Sequence, residues 1–143
     1  FDIPSTITDS HKINLKLVVD GDSTLNGGIS IQEYGQTGWG ESPNNKNIGI
    51  IDHSLGATLA TLTPLDNGTI VWDNGTAVSL DSGTILSVDL TDKITSYGEE
   101  YSIAIRALGT TDKVTFFSKE KLLTDGVGGF APQKSVWPNI SFK

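Results

Sequence analysis

The chain has 143 residues, 36% of them hydrophobic and 19% charged, with no cysteine and no methionine. Ten basic against seventeen acidic side chains give a formal net charge of −7, which excludes the basic patch that phosphate neutralisation demands and disfavours binding to nucleic acid or to an anionic membrane surface. Without cysteine there are no disulfides, thiolate nucleophiles or cysteine zinc sites, and no apolar run reaches the roughly 18 to 20 residues of a membrane span.

The length suits a single domain over residues 1–143, since domains commonly hold about 100 to 150 residues. Phe1 in place of Met reads as a processed terminus or an excised domain boundary, so the missing leader does not argue against secretion. The first clear element is Ile13-Asn14-Leu15-Lys16-Leu17-Val18-Val19, where alternate apolar residues share one face of a strand. Asp20-Gly21-Asp22-Ser23 ends it with turn chemistry, and Asn26-Gly27-Gly28 precedes a second strand over 29–34. Residues 35–47, rich in Gly and Asn around Trp39 and Glu41, read as an irregular loop. Short strands are expected at 48–51, 57–62 and 69–72, then clearer ones at 84–90 and 101–107, with further strands at 114–117 and 136–142. Residues 90–94 suit one helical turn capped by Thr91, with Gly98 past its end. Seven to nine short strands between turn signals predict an all-β fold, an antiparallel β-sandwich with one short helical turn; a closed barrel is the alternative.

Several pieces recur in a recognisable order. Phe1-Asp2-Ile3-Pro4-Ser5 opens the chain, followed by the strand at 13–17, Ile29-Ser30-Ile31-Gln32-Glu33-Tyr34, Trp39-Gly40-Glu41-Ser42, and Ser87-Val88-Asp89-Leu90-Thr91. Tyr101-Ser102-Ile103-Ala104-Ile105-Arg106 and Phe116-Phe117-Ser118-Lys119-Glu120 complete the series. The ensemble resembles the DNRLRE-type domains and their relatives, β-sandwich modules of secreted polysaccharide-degrading enzymes and large surface proteins. The resemblance implies a jelly-roll sandwich, an extracellular or cell-surface location and carbohydrate binding. Two departures stand out. Members carry further strands ahead of the Phe-Asp motif, and the usual continuation of the Trp-Glu loop is replaced by Ser42-Pro43-Asn44-Asn45. The first departure implies an edge beside the strand at 13–19 that is left without its usual partner, to be filled either by another segment or by another chain, whether a neighbouring domain or a second copy in a homo-oligomer.

Sugar-binding modules stack pyranose C–H groups on aromatic faces and hold hydroxyls with amides and carboxylates. Tyr34, Trp39, Glu41, Asn44, Asn45 and Trp137 are the ligand-binding candidates; Trp72 and Tyr97 are further aromatics with core packing as the plain alternative. Asp20 and Asp22, two residues apart on a turn, could direct carboxylates at a structural calcium, although no bidentate Glu follows at the EF-hand spacing. Solvated turn carboxylates are the alternative there, as backbone acceptance is for Asp89. Asn67, Asn74 and Asn139 head glycan-acceptor tripeptides, yet the first two are Asn-Gly pairs equally suited to hairpin turns. His11 and His53 have no nucleophile or metal partner at a useful spacing. The expected function is therefore a non-catalytic, cofactor-free polysaccharide-binding module, not an enzyme. The alternative is a structural subunit of a fibre, surface layer or adhesin assembled by strand exchange.

Overall fold

The computed structural model describes residues 1–21, 23–35, 55–117, 122–124, 130–132 and 138–143. Among them lie ten strands and no helix: β1 (Ile13–Val18), β2 (Ile29–Tyr34), β3 (Leu55–Pro64), β4 (Ile70–Trp72), β5 (Ala77–Val78), β6 (Ile85–Asp89), β7 (Ser102–Ala107), β8 (Leu122–Thr124), β9 (Phe130–Pro132) and β10 (Asn139–Phe142). They form antiparallel sheets ordered β10-β1-β6 and β5-β4-β3-β2-β7, which pack together as a sandwich, and a separate β8-β9 hairpin.

Alternation explains the packing. Ile13, Leu15 and Leu17 of β1 are buried while Asn14 and Lys16 are half-exposed, as a pleated strand with one face inward requires. Leu86 and Val88 of β6 repeat the pattern, and register sets Leu15 opposite Val88 on one side and Ile140 on the other. In the larger sheet Ile31 lies opposite Ala60 of β3 and Ile105 of β7. These apolar faces meet in one core with Ile3, Leu62, Leu90 and Ile94. Between β2 and β3 the register shifts after Ile31 and again after Gln32, two bulges that sharpen the local twist at the far end of β2.

The edge beside the strand at 13–19 is filled by other segments of the same chain, one of the two outcomes expected for it: β1 is central, flanked by β6 and β10. Two other expectations are corrected. The strand expected at 114–117 is reduced to one isolated bridge, Val19 to Phe116, with a second, Thr24 to Lys113, just ahead of it, because this stretch meets the end of β1 and a turn rather than a continuous strand. The segment at 90–94 makes the single turn expected of it, Ile94 N–H donating to Leu90 C=O at 3.1 Å, but its cap is not the expected one. Thr91 does not cap it. Its Oγ1 accepts the Ile13 N–H at 3.0 Å, while Asp89 Oδ1 accepts the Thr91 N–H at 2.9 Å. Asp89 is thus the backbone acceptor, and the hydrogen bonds from Thr91 hold its carboxyl below the usual carboxylate range. The expected strand at 48–51 and most of the loop at 35–47 lie outside the described residues.

Candidate functional site

Where β2 ends, β3 and β7 begin and the turn after β6 passes, the chain forms a groove of about 300 Å³. Glu33, Tyr34, Lys93, Thr95, Ser96, Glu99 and Tyr101 are among its walls, with Ile3 and Ile94 supplying apolar surface. Residues 1–3 reach it by pairing with the stretch ahead of β7: Ile3 N–H donates to Glu99 C=O at 2.9 Å, and Gly98 N–H donates to Ile3 C=O at 2.7 Å.

Glu33 is the residue that gives the groove its chemistry. It follows Ile29 and Ile31 at the same parity of β2, a position that elsewhere on the strand is buried. A carboxylate on an inward face needs a partner. Tyr101 supplies one, its Oη donating to Glu33 Oε1 at 2.9 Å. Burial first, and then this carboxylate, push the Tyr101 phenol far above its ordinary value, so it stays a neutral donor throughout the physiological range. Gly56 stands alongside: a Cβ there would come within 3.1 Å of Glu33 Cβ and 3.3 Å of its Oε2. Glycine leaves the carboxylate its place.

Of the sequence candidates, Tyr34 is in this groove, half-buried at the end of β2. Trp39, Glu41, Asn44, Asn45 and Trp137 lie outside the described residues. Gly35 and Gly56 each line the groove. Asp20 sits at the end of the β1 strand region, where its N–H donates to Thr115 C=O at 2.7 Å; Asp22 lies outside the described residues. Among the described residues no three His, Asp or Glu side chains gather as a metal site. Trp72 and Tyr97 pack against the core, and the Tyr97 hydroxyl donates to Asp9 Oδ1 at 2.9 Å. Asn67 and Asn74 form hairpin turns, their Oδ1 atoms accepting the N–H groups of Thr69 and Thr76 at 3.0 and 2.9 Å.

The sequence reading passed over Glu33, Lys93, Glu99 and Tyr101. A signal for the first was present, since a charged residue continues the apolar parity of residues 29 and 31. The others are brought in by the N-terminal pairing, which local periodicity does not report. The chain matches no family model, no curated protein and no solved structure.

Proposed function

We propose that this chain is a non-catalytic carbohydrate-binding module of an extracellular or surface protein, similar in kind to the DNRLRE-type domains it resembles. The observation that carries the reading is the pre-set Glu33–Tyr101 pair in a groove also lined by Tyr34. Sugar recognition calls for this mixture: an aromatic surface for C–H groups, and carboxylate, ammonium and hydroxyl groups for the ring hydroxyls. Holding the acceptor and donor in place beforehand reduces the ordering cost of binding. Carboxylates at 33, 99 and 100 against the one lysine of the lining, Lys93, favour neutral polysaccharides over polyanionic ones. The alternative, a structural subunit of a fibre, surface layer or adhesin assembled by strand exchange, draws less support from β1, which is paired on both sides within the chain.

Affinity electrophoresis through gels containing neutral and anionic polysaccharides tests the proposal. A neutral glycan should retard the protein, and Tyr34→Ala or Glu33→Gln should weaken that retardation about tenfold or more without unfolding the chain. Indifference to every gel, or retardation untouched by both variants, would remove this groove as the binding site.

A further inference from the structure

The chain holds three Asn-Gly pairs, at 26–27, 67–68 and 74–75. The last two share a setting, Leu65-Asp66-Asn67-Gly68-Thr69 and Trp72-Asp73-Asn74-Gly75-Thr76, and fold into the same turn at either end of β4. Leu65 N–H donates to Thr69 C=O at 2.7 Å and Gly68 N–H to Leu65 C=O at 2.9 Å; Trp72 N–H donates to Thr76 C=O and Gly75 N–H to Trp72 C=O, both at 2.9 Å. Both pairs are exposed. Gly68 and Gly75 take φ of +83° and +86°, and apart from their chain neighbours no heavy atom comes within 4 Å of where a Cβ would stand on either. Solvent and a change of backbone shape both have room there.

Such a turn aims a side-chain amide at a backbone nitrogen. With Oδ1 of Asn67 accepting the Thr69 N–H, and that of Asn74 the Thr76 N–H, each side chain folds back along the intervening peptide and lays its Cγ beside the glycine nitrogen. The same N–H polarises the amide carbonyl and holds the negative charge that Oδ1 acquires when Cγ is attacked, as an oxyanion donor does. Asn26 lacks both features. Its Nδ2 donates to Thr111 Oγ1 at 2.8 Å, and the N–H two residues on goes to Asp112 Oδ2 instead. Gly27 N–H faces both oxygens of that carboxylate, at 2.9 and 3.1 Å. Taking a proton from nitrogen beside a negative charge is unfavourable, and Gly27 is crowded against Gly109, so its backbone lacks the freedom to close a ring.

We propose that Asn67 and Asn74 deamidate spontaneously in the folded protein, while the Asp112 carboxylate protects Asn26. Hydroxide takes the glycine N–H proton, the nitrogen bonds to the asparagine Cγ, and the Cγ–Nδ2 bond breaks, the side-chain nitrogen leaving as ammonia with a proton from water. Water then opens the cyclic imide at one carbonyl or the other, giving aspartate or isoaspartate; nothing is oxidised or reduced. Each event adds a negative charge to the formal −7, and isoaspartate lengthens the main chain inside a turn whose ends are pinned by hydrogen bonds. Both turns flank β4, toward the opposite edge of the sheet from β7, so the proposal does not depend on the glycan reading.

Incubating the intact protein at mildly alkaline pH, folded and in concentrated urea, and following each site by peptide mass spectrometry tests it. In the folded protein Asn67 and Asn74 should convert at least about tenfold faster than Asn26. In urea, where the three sites keep only their shared dipeptide, the rates should converge. Asp112→Asn, held well below its melting temperature, should bring Asn26 up toward the other two. Equal rates at the three sites of the folded protein would overturn the proposal, as would a gap that survives in urea; an unmoved Asn26 rate in Asp112→Asn would remove the carboxylate as its guard.

Discussion

The carboxylate of Asp112 accepts hydrogen bonds from the backbone N–H groups of Asn26, Gly27, Gly28 and Gly109. It thereby clamps the turn before β2 to the turn after β7. Space at this clamp is so tight that a Cβ on Gly27 would fall 2.7 Å from Gly109 N, and one on Gly28 2.6 Å from the Leu62 carbonyl oxygen. Gly28 also holds φ at +118°, where residues with a side chain are strained. The N–H groups of Asn26 and then Gly27 hold the Asp112 carboxyl below its ordinary range. A depressed carboxyl contributes stability above its unfolded pKa of about 3.9, and that contribution disappears as pH falls through the lower folded value. Asp112→Asn should therefore lower the melting temperature at pH 7, with the gap to the parent protein narrowing between about pH 4 and pH 2 as the parent loses its advantage. Melting curves across that range check it, and a gap that stays constant with pH would refute the clamp. Nothing local in Thr110-Thr111-Asp112 discloses this role, because the donors at 26–28 lie more than eighty residues away along the chain.

At the level of elements, β2 and β7 are joined by their ladder and also by the Glu33–Tyr101 hydrogen bond at the ladder's end. The Tyr101 phenol is pushed up by burial and then by Glu33, so its stabilising contribution is complete below the unfolded value of about 10. It declines as pH rises past that value toward the folded one. Tyr101→Phe should flatten the alkaline loss of stability above about pH 10; denaturation by urea at pH 8 and pH 11 measures this, and an unchanged alkaline slope would discount the pair. The strands themselves were legible where apolar residues alternate over five or more positions, as in β1, β2, β6 and β7. β5, β8 and β9 have two or three residues each, too short for a period to register. Thr91 matched a cap by residue type, but Ile13 lies close enough to claim its hydroxyl, a choice made by the tertiary fold. In the same way Tyr34 was legible as a candidate aromatic at the end of a strand, whereas Tyr101 became a groove residue only through the partner that Glu33 provides.

Over the whole molecule, the order of strands was the part that periodicity left open. Alternation says that a strand has an inward face; it does not say which strand lies beside it. β1 takes its neighbours from β6 and from β10 at the far end of the chain, and Lys12 and Lys143 close that junction with reciprocal backbone hydrogen bonds of 2.7 and 2.9 Å. Ile140 and Phe142 carry the pairing into the core. Such contacts between distant parts of the sequence must wait for the entropy of loop closure to be met, which places folding in the millisecond-to-second range typical of β-sandwiches. They also make the last strand a condition of the first. Deleting residues 139–143 strips β1 of its register partners at Ile13, Asn14, Leu15 and Lys16, leaving the backbone of a core strand exposed along one side. Burial lost at Ile140 and Phe142 removes a further few kcal/mol, a sizeable share of the roughly 5 to 15 kcal/mol that holds a domain folded. The shortened chain should therefore melt at least about 10 °C lower, or not cooperatively at all, and should bind a dye specific for exposed apolar surface. If calorimetry instead finds a cooperative transition within a few degrees of the intact protein, closure of the sheet by its terminal strand is not what sustains the sandwich.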